Sequence, residues 1–302
     1  MQYRCLSHGK WILSGEHAVL RGGYALAFPL LSRQMEFVFE RTTEAFQLVV
    51  DGEQRDLLQA FIPQLWHHGL TLIRRKPEEG FGVLKVTNRI PVGTGLGASA
   101  ALSVCIARLF CHFGWISDGQ IFTMARDLEN VAHGKSSGLD IATVMSSEGI
   151  YFSRDKDRTV FHPRWQPELY LCYSGQQGLT SQCISQVENI LRSNADLGMK
   201  IDQEMRQSVE LCRQALTQSL TMREGLPILK KGIELAESCF DSWGLQNADL
   251  RGRADWLREH GAIAVKPVGS GGGGYLLGLW AETPSPTTLE RLIPCFSKVG
   301  AS

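Results

Sequence analysis

The 302-residue sequence has no surplus of charge: 31 Lys and Arg balance 31 Asp and Glu. A zero net charge supplies no bulk field toward polyanions, so neither nucleic acid nor a membrane surface is expected as a partner. Its eight cysteines (5, 105, 111, 172, 183, 212, 239 and 295) form no CxxC pair. That excludes the common zinc and disulfide frameworks and predicts free thiols in a reducing compartment. No apolar run approaches membrane-spanning length. The first ten residues lack the apolar stretch of a signal peptide, and the closing Gly300-Ala301-Ser302 carries no lipidation signal. A cytoplasmic protein is expected, as a monomer or homodimer. No internal repeat is visible, and low complexity is confined to one glycine run, Gly271–Gly274.

What is present is a globular composition, 43% hydrophobic and 21% charged. The length suits about two domains, and the boundary is expected near residue 160, giving 1–160 and 161–302. Alternating apolar residues predict strands at Phe37–Phe39, Phe46–Val50 and Phe81–Val86, and Asp51-Gly52 reads as a hairpin turn. Helical spacing marks residues 56–73. A further helix, capped by Ser117-Asp118, has its apolar face at Ile121, Phe122, Met124, Ala125, Leu128, Val131 and Ala132. Another helical start is expected near Asp140, then a strand at Gly149–Phe152 and a charged turn at Arg154–Arg158. Beyond it come a strand at Tyr170–Tyr173, mainly helix over 180–240, and strands on either side of the glycine run, Ala262–Val265 and Leu276–Trp280.

The stretch of most chemical interest is Pro91–Ala101, PVGTGLGASAA. Glycines at alternate positions let backbone approach an anion closely. The run that follows has helical composition, with no proline or glycine until Gly114. A glycine loop opening a helix offers unpaired N–H groups and the positive end of the helix dipole, which suits phosphate. It is not the dinucleotide fingerprint, because the third glycine falls one residue early at Gly97. Gly134-Lys135-Ser136 is not the tail of a P-loop either, because Glu129 stands where its leading glycine would be. Each candidate also has an ordinary reading: the loop as a tight turn, Lys10 as a solvated lysine, Glu129 and His133 as a surface pair, His17 as a turn histidine.

Four segments together resemble the GHMP kinases, the superfamily of galactokinase and of homoserine, mevalonate and phosphomevalonate kinases. Within it the similarity points to mevalonate kinases. Gly9–Gly23 (GKWILSGEHAVLRGG) resembles GKxILxGEHAVxxG, and Pro91–Ala101 resembles PxGxGLGSSAA. Glu129–Asp140 (ENVAHGKSSGLD) resembles ExxxHGxPSGxD, and Lys266–Gly274 (KPVGSGGGG) resembles KxTGAGGGG. The resemblance implies a two-domain α+β fold, with a ribosomal-protein-S5-domain-2-like N-terminal domain and a ferredoxin-like α/β sandwich C-terminal domain. It implies ATP and Mg²⁺ as cofactors and a small hydroxylated acceptor. Pro91, Gly93, Thr94, Gly95, Leu96, Gly97, Ala98, Ser99 and Ala100 would cradle the triphosphate. The Ser99 hydroxyl and the Glu129 carboxylate would hold Mg²⁺. Asp140 would accept the acceptor's hydroxyl proton, with Lys10 against it to stabilise the incipient alkoxide. Glu16, His17, Ser137, Thr180, Gly269, Ser270 and Gly271 would bind substrate, His17 as a donor.

The chain departs from these patterns at several places. Ala98 replaces the first serine of the loop's usual pair, and Pro267, Val268 and Ser270 alter the third motif. Mevalonate kinases usually carry an arginine two residues before Thr180, where this chain has Gly178. The readings left open are phosphorylation of mevalonate, phosphorylation of a sugar or phosphomevalonate, and a non-catalytic sensor of the same fold.

Overall fold

A computed structural model of the protein describes residues 2–134, 136–154, 158–219 and 221–296, the side chains of Ala132 and His133 excepted. Lys135, residues 155–157 of the charged turn, the His133 side chain and the C-terminal tripeptide therefore lie outside the described residues. The strands are β1 (Gln2–Ser14), β2 (Tyr24–Arg41), β3 (Gln47–Gly52), β4 (Gly82–Asn88), β5 (Gly149–Ser153), β6 (Thr159–Phe161), β7 (Glu168–Tyr173), β8 (Ala264–Pro267), β9 (Tyr275–Trp280) and β10 (Ile293–Pro294). The helices are α1 (Arg55–Leu72), α2 (Ala98–His112), α3 (Ile121–His133), α4 (Leu139–Met145), α5 (Thr180–Ser193), α6 (Ala195–Thr217), α7 (Met222–Ser242), α8 (Ala248–Glu259) and the short α9 (Pro286–Leu289). The fold is α+β. All eight cysteines are free thiols, and no helix among the described residues is long and apolar enough to cross a membrane.

The chain forms two compact units that alternate along the sequence. The first takes the chain up to Lys10, then Leu30–Val92 and Leu96–Ser147; the second takes Trp11–Pro29, Gly93–Gly95 and the chain from Glu148.

In the first unit, β2 runs antiparallel to β4 from Met35 opposite Asn88 to Arg41 opposite Gly82. Met35, Phe37 and Phe39 alternate into the core, as do Leu84 and Val86, the period-two pattern of a half-buried sheet. β3 pairs with β4 in parallel. This corrects the hairpin reading of Asp51-Gly52. A parallel pair needs a crossover rather than a tight turn, and α1 supplies it. Gly52 has φ 93°, and a Cβ there would sit 2.0 Å from the Asn88 carbonyl oxygen; the glycine serves close packing on β4. Helix α2 is buried along nearly its whole length, from Ala98 to Phe110, as its run of small and apolar residues, with Arg108 the one charge in it, requires. Ser117 opens a short 3-10 turn (Asp118–Gln120), its N–H bonded to Gln120 Oε1 at 2.8 Å. α3 then buries Ile121, Met124, Ala125 and Leu128. Val131, at the margin of that stripe, is 44% exposed.

In the second unit, Tyr24–Ala27 of β2 pair antiparallel with Ile150–Ser153 of β5, and β6 follows β5. A separate antiparallel sheet has the order β10–β7–β9–β8. α5, α6 and α7 build one apolar cluster around Val187, Ile201, Met205, Phe240 and Trp243, which also takes in Ala18. α8 packs Leu250, Ala254 and Leu257, spaced i, i+4, i+7, against β7, β8 and β9.

Candidate active site

In the first unit, β1 ends its share of the chain on Lys10. The Lys10 N–H donates to the Leu96 carbonyl at 2.9 Å, tying the strand to the loop that opens α2. Gly97, the N-cap of α2, has φ 83°, and a Cβ there would lie 2.8 Å from Lys10 Cγ. Only glycine allows that approach. The Lys10 side chain is therefore laid along the helix start and is 2% exposed. A buried ammonium needs a counter-charge, and Asp140 supplies it: Lys10 Nζ is 2.8 Å from Asp140 Oδ2. Asp140 stands in the first turn of α4, just after Gly138, which has φ 84°.

Glu129 on α3 is 3% exposed. Burial, and after it the neighbouring Asp140 charge, push its carboxyl up to about 8, with Ser136 and Lys10 opposing the rise. A second electropositive group at this position would remove that penalty. Ser99 is the other relevant side chain. Its Oγ is buried and has no hydrogen-bond partner among the described residues, an arrangement that costs free energy unless a ligand satisfies it. A buried carboxylate short of positive charge and an orphaned hydroxyl are the hard oxygen donors that Mg²⁺ takes, so the residues present fit that ion.

The second unit holds Gly93–Gly95 and the glycine run. A Cβ on Gly274 would sit 2.5 Å from the Thr94 carbonyl oxygen, and one on Gly95 would be 3.3 Å from that of Val268. The run is fastened by Gly272 N–H to Leu245 O at 2.9 Å, Gly274 N–H to Gln176 O at 2.7 Å and Asn247 Nδ2 to Gly272 O at 3.1 Å. Gly178 lies against it without room for a side chain: a Cβ would meet Gly271 O at 2.6 Å and Gly273 N at 3.1 Å.

His17 Nε2 is 2.9 Å from the Ser270 carbonyl oxygen. A carbonyl only accepts, so Nε2 carries the proton and Nδ1 is the acceptor. The ring also packs edge-on to Trp243 at 5.0 Å and to Phe240 at 6.1 Å. Burial lowers its pKa to about 4, against the opposite pull of the Ser270 bond. Ser270 Oγ in turn donates to Thr180 Oγ1 at 3.2 Å. Glu16 forms a buried ion pair with Lys266 at 2.5 Å, and Lys266 also donates to Ile12 O at 3.3 Å.

Of the residues singled out in the sequence, the first unit gathers Lys10, Glu129 and Asp140, with Pro91, Leu96–Ala100 and Ser137 also in it. Ser137 Oγ accepts from Leu139 N–H at 3.2 Å at the start of α4. The second unit gathers His17, Thr180 and Ser270, and also contains Glu16, Gly93–Gly95, Gly269 and Gly271. Sequence reasoning missed Lys266 as the partner of Glu16, although its place at the head of the third motif was a usable signal. It also missed Ser136, whose hydroxyl donates to Glu129 Oε2; nothing in its spacing distinguishes it from Ser137.

Residues 65–148 match the family model described as the GHMP kinases N terminal domain. The mevalonate kinase of Aeropyrum pernix is 24% identical over 98% of this chain and 94% of its own length. The crystal structure of L. major mevalonate kinase in complex with R-mevalonate has a TM-score of 0.78 at 19% identity, covering 96% of this chain and 89% of that one. Lactococcus lactis galactokinase, complexed with galactose, gives 0.72 at 13% identity, over 93% and 86%. These structural likenesses establish the fold. The family match, the curated relative and the fold agree in likening this chain to the GHMP kinases, and the likeness indicates an ATP-dependent kinase that phosphorylates a hydroxyl group.

Proposed function

We propose that the protein is a Mg²⁺-dependent mevalonate kinase, passing the γ-phosphoryl group of ATP to the mevalonate hydroxyl in isoprenoid precursor synthesis. The observation that carries the catalytic reading is the Lys10–Asp140 pair, 2.8 Å long, beside the buried Glu129. Phosphoryl transfer needs positioning and charge neutralisation more than covalent help from the protein. Asp140 takes the proton of the acceptor hydroxyl as the new P–O bond forms and the bond to the ADP oxygen breaks. Lys10 offers its ammonium to the same oxygen as charge develops on it. The N–H groups opening α2 receive the phosphates. Ser99 and Glu129 would hold Mg²⁺, which when bound would draw charge from the phosphate oxygens. Triphosphate binding is assigned to Pro91 and Gly93–Ala100, and acceptor binding to Glu16, His17, Ser137, Thr180 and Gly269–Gly271.

Mevalonate as acceptor follows from the named relatives and from the GEHAV run at Gly15–Val19. Gly178 favours a second reading, a sugar or phosphomevalonate. The arginine usual in mevalonate kinases would clash there with Gly271 and Gly273 backbone. An ATP-consumption assay over mevalonate, phosphomevalonate, homoserine and several sugars separates the two, and turnover on a sugar alone would sink the mevalonate assignment. Asp140→Asn is expected to lower kcat about 10²–10⁴-fold while ATP affinity stays within a few-fold. An unchanged kcat would remove Asp140 as the proton acceptor.

A further inference from the structure

Ser136 stands between α3 and α4, and three hydrogen bonds meet on it. Its N–H donates to Asn130 Oδ1 at 2.8 Å, which closes the turn leaving α3. Its hydroxyl oxygen accepts the Gly138 N–H at 3.1 Å. With a lone pair occupied there, the hydroxyl proton is directed to Glu129 Oε2. Gly138 is the N-cap of α4, and Asp140 follows two residues later with Lys10 at 2.8 Å. One hydroxyl therefore links a buried carboxylate to the turn that sets the position of a second one. The family pattern has proline at this step, and a proline can make none of these bonds.

We propose that Ser136 is a positioning residue whose hydroxyl orients the Glu129 carboxylate toward a divalent cation and fixes the turn carrying Asp140. This rests on the reading of Glu129 as a cation ligand. A carboxylate on a three-torsion side chain has several orientations open to it, and a short bond to one oxygen selects among them before the cation arrives. Outer partners of this kind typically change metal affinity by about 10–100-fold when removed. Threonine preserves the hydroxyl and should preserve the function.

The test uses the full chain with a non-hydrolysable ATP analogue and Mn²⁺ as the probe, read by electron paramagnetic resonance. Ser136→Ala is expected to weaken Mn²⁺ binding about tenfold and to raise the Mg²⁺ concentration that half-activates turnover. Nucleotide affinity without metal should stay within about twofold and kcat at saturating Mg²⁺ should fall less, the separation expected of an outer partner. Ser136→Thr should restore wild-type metal binding. Glu129→Gln is the reference. If it abolishes Mn²⁺ binding while Ser136→Ala binds as wild type, the positioning role is overturned and the ligand reading stands. If Glu129→Gln leaves binding unchanged, the ligand reading fails and the proposal fails with it. Should Ser136→Ala prove unfolded by its thermal melt, the threonine variant decides: folded with weakened Mn²⁺ binding, it overturns the proposal; folded with wild-type binding, it supports it.

Discussion

His17 shows what burial does to a titratable side chain in this protein. Its folded pKa of about 4 lies below the ordinary value of 6.5, so the neutral ring belongs to the folded state. Above pH 6.5 both states are neutral and the histidine adds no pH dependence. As pH falls from 6.5 toward 4 the unfolded chain binds the proton first, and stability drops by on the order of 3 kcal/mol across that window. Denaturant melts at pH 7 and 4.5 should show His17→Gln losing about 2–3 kcal/mol less than the wild type. Equal losses would mean that the ring is hydrated. The sequence marked His17 and Glu16 as substrate-binding residues, but their buried partners could not be read there. Ser270 and Lys266 lie some 250 residues away in the chain, and no local spacing encodes such a contact. Lys10 and Asp140 were legible because the family patterns name them. Taken alone, a lysine before an apolar strand reads as solvated.

Among elements, those with strong periodicity or punctuation were readable: α1 from its apolar spacing, α2 from its glycine start, β8 and β9 from the glycine run between them. The Asp51-Gly52 reading failed because a dipeptide reports a local turn and not the direction of the next strand. The glycine run itself was read as a place of close approach, and Gly178 shows how close. Gly178→Ala puts a methyl 2.6 Å from the Gly271 carbonyl oxygen. The atoms it meets are backbone, so the run must shift rather than a side chain swing away. A loss of about 1–3 kcal/mol is expected, with a raised KM for the acceptor. Gly252, within α8, has open space where a Cβ would stand, with nothing inside 4 Å. Gly252→Ala should therefore stabilise by about 0.5–1 kcal/mol through helix propensity. Thermal melts of the pair give opposite signs if backbone packing at 178 is the cause. Two shifts of the same sign would point to a different cause.

At the scale of the molecule, the path of the chain between its two units was the least legible feature. A boundary near 160 is where the chain length and a charged turn suggest a cut, and Trp11–Pro29 belong to the same compact unit as the chain from Glu148. No linker marks that exchange, because it happens inside strands. Trp11 is fully buried, stacked on Phe28 at 4.7 Å and edge-on to Phe296 at 5.5 Å. Ala18 and His17 pack with Phe240 and Trp243. Glu16 neutralises Lys266, whose side chain is completely buried. A fragment spanning 161–302 would lose all of these at once. Removing one partner of a buried ion pair alone costs about 3–5 kcal/mol, comparable to much of the net stability of an ordinary domain. The fragment is therefore expected to lack a cooperative melt and to bind a hydrophobic dye, while the full chain melts cooperatively. Lys266→Met within that fragment should recover part of the loss, since it removes the unpaired charge, whose ammonium lies 5.5 Å from the Phe240 ring centre, and keeps a long apolar side chain in its place. A fragment that unfolds in a single sharp transition without Trp11–Pro29 would show that those residues are dispensable to the unit they complete.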